Sequence, residues 1–163
     1  MSLLLLAAGV AAIAADVPRW YPACAGGRDS LPCLERQDHV YDFEWPADPW
    51  IPLGNSAELM GLSYALSGLA LLGLFGVLLR PRWSWLLGLP FTAAFGVIAA
   101  KAYLSGVAGH PVDVPGEGTT FLLLGLGLPV ALLTVAALVR EEHEPPGRAL
   151  QARRAGLVLL ALA

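Results

Sequence analysis

The hydrophobic pattern along the chain is one of long unbroken runs rather than alternation or an amphipathic stripe. Between Leu59 and Leu79, and again between Trp83 and Ala100, no charged residue occurs. A run of 18 or more apolar residues is long enough to cross a hydrocarbon core at about 1.5 Å of rise per residue. The two runs are joined by Arg80-Pro81-Arg82-Trp83, so this part of the chain predicts a transmembrane helical hairpin with an arginine-rich tip. Residues 1–16 form a shorter apolar run at the N-terminus. They read as an uncleaved first helix able to extend to Trp20; a cleaved signal peptide is the competing reading, but no Lys or Arg precedes Leu3. A fourth apolar helix is expected from about Thr120 to Val139, with Pro129 inside it.

The polar segments fall between these runs. Residues 17–57 carry Pro18, Pro22, Pro32, Pro46, Pro49 and Pro52. Proline at that density removes backbone donors and excludes a long helix, so an irregular loop domain is expected. Asn55, Ser56 and Glu58 form a helix-start signal: a side chain able to cap free N–H groups, then an acid at the positive end of the dipole. The third helix is expected from about Trp85 to Val107, with a kink at Pro90. Residues 110–119 are a polar turn. Residues 58–140 thus read as a three-helix membrane bundle, and 141–163 as a cytoplasmic segment with an apolar tail. That tail, GLVLLALA, could reach only about 12 Å. It reads either as a fifth helix cut short by an incomplete reading frame or as an interfacial segment.

Composition agrees with this class. Hydrophobic residues make up 56% of the chain and charged residues 14%, against about 25% charged in soluble domains. The fold class expected is therefore an all-α integral membrane protein: about four transmembrane helices in a small bundle, with one extracytoplasmic loop closed by a disulfide. The net charge of -3 gives no electrostatic footprint for nucleic acid. The distribution of charge orients the chain. Arg80, Arg82, Arg140, Arg148, Arg153 and Arg154 lie on one side, and Arg19, Arg28 and Arg36 on the other. The excess of basic residues puts the Arg80–Arg82 turn and residues 140–154 in the cytoplasm and the loop outside. The expected partners are the lipid bilayer and other membrane proteins.

Candidate chemistry is sparse. Cys24 and Cys33 flank AGGRDSLP, and Gly26 and Gly27 allow the reversal that brings two sulfurs together. On an oxidising face a disulfide is the default, worth about 2–3 kcal/mol in the chain-entropy account. Tyr41, Phe43, Trp45 and Trp50, interleaved with acids, read as an interfacial aromatic belt, with a ligand-binding lid over the helix ends as the alternative. Lys101 lies about two turns before its helix ends. It reads as a snorkelling side chain; the alternative is a buried ammonium paired with Glu58, which shares its membrane face. His39, His110 and His143 are too dispersed for a metal site, and none is expected.

The order of parts resembles the vitamin K epoxide reductase family: a first helix, a loop with two cysteines, then three more helices. Cys24 and Cys33 stand where the loop pair would be. Asn55-Ser56, before Gly61 and Tyr64, resembles the asparagine-bearing start of that family's second helix, and Leu79-Arg80-Pro81-Arg82-Trp83 its basic turn. The resemblance implies a membrane thiol or quinone oxidoreductase using Cys24 and Cys33, with Asn55 at the ligand. The family's Cys-x-x-Cys at the start of the fourth helix is missing, however; residues 110–123 read HPVDVPGEGTTFLL. Without it no thiol route leads to a quinone. The leading expectation is therefore an accessory or packing subunit with no cofactor. The oxidoreductase comes next, and a transporter fragment with Lys101 and Glu58 in its path third.

Overall fold

The computed structural model describes residues 2–21, 23–78, 84–131 and 133–134. The hairpin tip at Arg80–Trp83 and the segment 135–163, with His143 and the last four arginines, lie outside the described residues. Within them the chain is helical, without strands. Three helices are long and apolar enough to cross a membrane: α1 (Ser2–Trp20), α3 (Ser56–Leu78) and α4 (Leu89–Ala108). Between α1 and α3 the loop holds the short α2 (Leu31–Glu35) and a 3-10 turn, His39–Tyr41, capped by the Asp38 carboxylate. After α4 comes α5 (Glu117–Leu122), which continues as a π-helical turn over Leu123–Gly127.

Two boundaries depart from the sequence reading. Pro90 does not kink α4. The residues before it, Ser84–Gly88, form a 3-10 turn, and Pro90 falls in the first turn of α4, where a missing N–H costs nothing. The fourth helix starts at Glu117 rather than Thr120, because Gly116 turns the chain at φ 91° immediately before it. At the other end of that connection, Gly109 closes α4 in the left-handed conformation, its N–H reaching the Ser105 and Gly106 carbonyls.

Helix α3 is central and antiparallel to both α1 and α4. Its face toward α1 carries Met60 and Ser63, which meet the alanine stripe Ala8, Ala11 and Ala15; Ser63 Oγ donates to the Ala8 carbonyl at 2.8 Å. The opposite face carries Gly61 and Gly68. A Cβ on Gly61 would lie 2.8 Å from the Ala99 carbonyl, and one on Gly68 2.9 Å from Phe95 Cβ. Small residues allow this backbone approach. Toward the far end, Phe75 stacks on Phe91 at 5.8 Å, with Leu128 and Ala131 against them.

The loop is tied to the bundle through Arg19 in the last turn of α1. Its guanidinium donates to the Asp42 carboxylate at 2.6 Å and to the Arg36 carbonyl at 2.9 Å, and lies 5.9 Å from the Phe43 ring centroid. Phe43 is buried among Ala15, Ala57 and Met60. Arg19→Ala should therefore loosen residues 36–43 while leaving the helices intact. The expected result is faster amide exchange confined to that stretch; unchanged exchange there would contradict the anchoring role.

Candidate functional site

The polar side chains concentrate at the loop end of the bundle, where α1 and α4 finish and α3 and α5 begin. Lys101 is only 4% exposed. Its ammonium donates to Glu117 Oε1 at 2.8 Å and sits 4.9 Å from the Trp45 ring centroid. Trp45 in turn packs edge-on against Phe121, with ring centroids 4.7 Å apart. Glu117 Oε1 also accepts the Val114 N–H at 3.0 Å, and Ser105 Oγ, one turn beyond Lys101, accepts the Val112 N–H at 2.9 Å. The connection from α4 to α5 is thus wired back onto α4. Glu117 lies outside the three long apolar helices. The hydrogen bond from Lys101, followed by that from Val114, holds its carboxyl below the ordinary carboxylate range.

This corrects the reading of Lys101. The side chain is buried and paired rather than snorkelling, and its partner is Glu117 rather than Glu58. The earlier start of α5 is the reason: it puts Glu117 in the first helical turn, facing α4. An acid directly after Pro115-Gly116 is a helix-start signal, and that signal could have found the partner. Phe43 and Trp45 turn inward, and Trp50 packs on the Ala15–Phe43 cluster with its Nε1 shielded and unpartnered. Together they form a lid over the helix ends.

Glu58 lies elsewhere, in the seam between α3 and α4. It packs over Gly106: a Cβ there would come within 2.6 Å of the Glu58 carboxyl carbon. Its Oε2 is shielded from solvent and has no hydrogen-bond partner. Glu58 and the exposed Asn55 stand at one end of a groove of about 640 Å³, whose remaining wall is apolar and includes Gly61, Ala65, Ala99 and Tyr103. Ser56, the first residue of α3, is buried with its Oγ unpartnered, so its hydroxyl does not make the cap expected at this helix start.

Cys24 and Cys33 form the expected disulfide, with Cα atoms 4.6 Å apart. Gly27, at φ 105°, makes the reversal between them. Cys33 is buried and Cys24 half-buried, and a groove of about 520 Å³ runs past them, lined also by Trp20, Arg28 and Gln37. His39 pairs with Asp38 and His110 with the Pro111 carbonyl, both in exposed positions. Among the described residues, no three of the His, Cys, Asp and Glu side chains come together as a metal site. No protein-family profile, characterised protein or solved structure matches the chain.

Proposed function

We propose that the protein is a multi-pass membrane protein that serves as a non-catalytic packing subunit of a larger assembly. In this reading α1, α3 and α4 span the bilayer, a fourth span follows Glu117, which stays at the membrane surface, and the disulfide loop lies outside the cell. The arginine distribution supports that sidedness. The observation that carries the reading is the outer face of α1. Leu3, Leu6, Val10, Ile13 and Val17 follow one another at alternating spacings of three and four, and all are exposed. That is the spacing of a seam for another helix, and lipid would cover what a partner leaves bare. The Lys101 ammonium, by contrast, is buried, paired with Glu117 and covered by Trp45, which suits a structural role better than a solute path.

Single cysteines at Val10 and Ile13, crosslinked in native membranes and followed by purification in mild detergent, test this. A partner captured from α1 and co-purifying with the protein is the expected result. A lone stable monomer overturns the subunit reading. A reporter at Pro81 found outside the cell, or a protein soluble without detergent, overturns the topology.

The groove beside the disulfide favours a second reading, a thiol–disulfide exchange protein. An incoming thiolate would attack the more accessible Cys24 sulfur and form a mixed disulfide, with the Cys33 sulfur leaving as the thiolate. Arg28 at the groove would favour the anion. Trapping with a Cys33→Ser variant should capture on the Cys24 thiolate a partner presented as its disulfide, one partner sulfur leaving as the thiolate. A native disulfide inert to exchange removes this reading.

A further inference from the structure

The groove between α3 and α4 is not used by either reading. Its polar end holds the carboxylate of Glu58, with one oxygen shielded and unpartnered. A shielded carboxylate oxygen without a donor is costly, so an occupant that donates to it is favoured over an apolar one. The rest of the groove is apolar and open along one side. From Glu58 to Ala65 it runs about 10 Å at about 1.5 Å per residue, which is two-thirds of the roughly 15 Å depth of one leaflet. The occupant that matches is cationic at one end and hydrocarbon along its length.

We infer that this groove seats one membrane lipid with a primary-ammonium headgroup, the ammonium donating to Glu58 and one acyl chain lying between α3 and α4. The inference rests on the reading that these helices span a bilayer. A primary ammonium is selected over a quaternary one because only the former has N–H groups to give the carboxylate, and over an anionic headgroup because Glu58 would repel it. Asn55 adds an amide at the same end, suited to the polar groups that link head to chain. Gly61 sets the floor by letting the helices approach without filling the seam, and Gly106 leaves room for the Glu58 carboxylate.

The test uses the full chain purified in detergent and equilibrated with mixed micelles holding equal amounts of phosphatidylethanolamine, phosphatidylcholine and phosphatidylglycerol. Retained lipid is counted by native mass spectrometry. Wild type should retain phosphatidylethanolamine preferentially. Glu58→Gln, which keeps shape and removes charge, should weaken that preference about tenfold, the loss expected for one charge-assisted hydrogen bond. Leu62→Trp, at a half-exposed position on the groove wall, should lower retention of all three lipids. Equal retention of the three by wild type overturns the inference, as does an unchanged preference in Glu58→Gln. So does a disulfide between two copies of a Leu62→Cys variant, showing the groove filled by a second copy. If Glu58→Gln does not fold, the wild-type preference and the Leu62→Trp result still decide. Solubility without detergent would appear before any lipid is added, and so marks failure of the membrane reading rather than of the lipid seat alone.

Discussion

Glu117→Ala should destabilise the bundle by about 3 kcal/mol, and adding Lys101→Met to it should restore most of that loss. The reason is the asymmetry of a buried pair. Removing one partner leaves the other charge desolvated and unpaired, a loss of about 3–5 kcal/mol, whereas replacing both with apolar groups is often neutral. Lys101 is the more deeply buried partner, its side chain 5% exposed against 29% for Glu117. Losing Glu117 therefore strands an ammonium under Trp45 and also frees the Val114 N–H. Losing Lys101 alone should cost less, about 1–2 kcal/mol, because Glu117 keeps partial solvent and its backbone donor. Thermal unfolding of the four proteins in one detergent closes the cycle. Single-variant losses that simply add in the double variant would show that the two charges do not act as a pair. The sign of the pH dependence follows from the lowered carboxyl pKa of Glu117. The pair's contribution is complete above the unfolded carboxylate pKa and is lost as pH falls through the lowered folded value. Wild type should lose stability on acidification relative to the double variant.

What could be read from the residues alone divides by range. The helices and the disulfide are local matters: run length, and two glycines between close cysteines. These were legible, apart from the starts of α4 and α5, where one proline and one glycine moved the boundary. The site was less legible because it is assembled by facing. Helix α3 is apolar around its whole circumference, so periodicity gives no hint that Met60 and Ser63 face α1 while Gly61 and Gly68 face α4. The same blindness hid Glu117. Sequence distance from Lys101 offered no choice between it and Glu58 until the rotation of α5 was known. Arg19 reads as one more charge near a helix end, yet three acceptors from the loop converge on it. The acids interleaved with Trp45 give no sign that its ring lies over Lys101.

The glycines of α3 show how little composition says of packing, and they supply the second large effect. Gly61→Ala should destabilise the protein, whereas Gly73→Ala, twelve residues along the same helix, should not. An added methyl at Gly61 would meet the Ala99 carbonyl and Tyr103 Cβ at 2.8 Å and the Tyr103 N at 2.9 Å. Two of these atoms are backbone, so α4 as a whole must move away. Overpacking of this kind costs about 1–3 kcal/mol, which exceeds the gain of up to about 1 kcal/mol from replacing a helical glycine by alanine. At Gly73 nothing lies within 4 Å, so only the propensity gain operates and the change should be neutral to slightly stabilising. Comparing the two melting temperatures in one detergent cancels effects of the surrounding medium. The expected difference has opposite signs at the two positions, and Gly61→Leu should prevent the α3–α4 contact altogether, seen as loss of a cysteine crosslink between Ala65 and Ala100. Equal tolerance of alanine at Gly61 and Gly73 would mean that α3 and α4 are not in backbone contact. The groove whose floor that contact sets would then lack a wall.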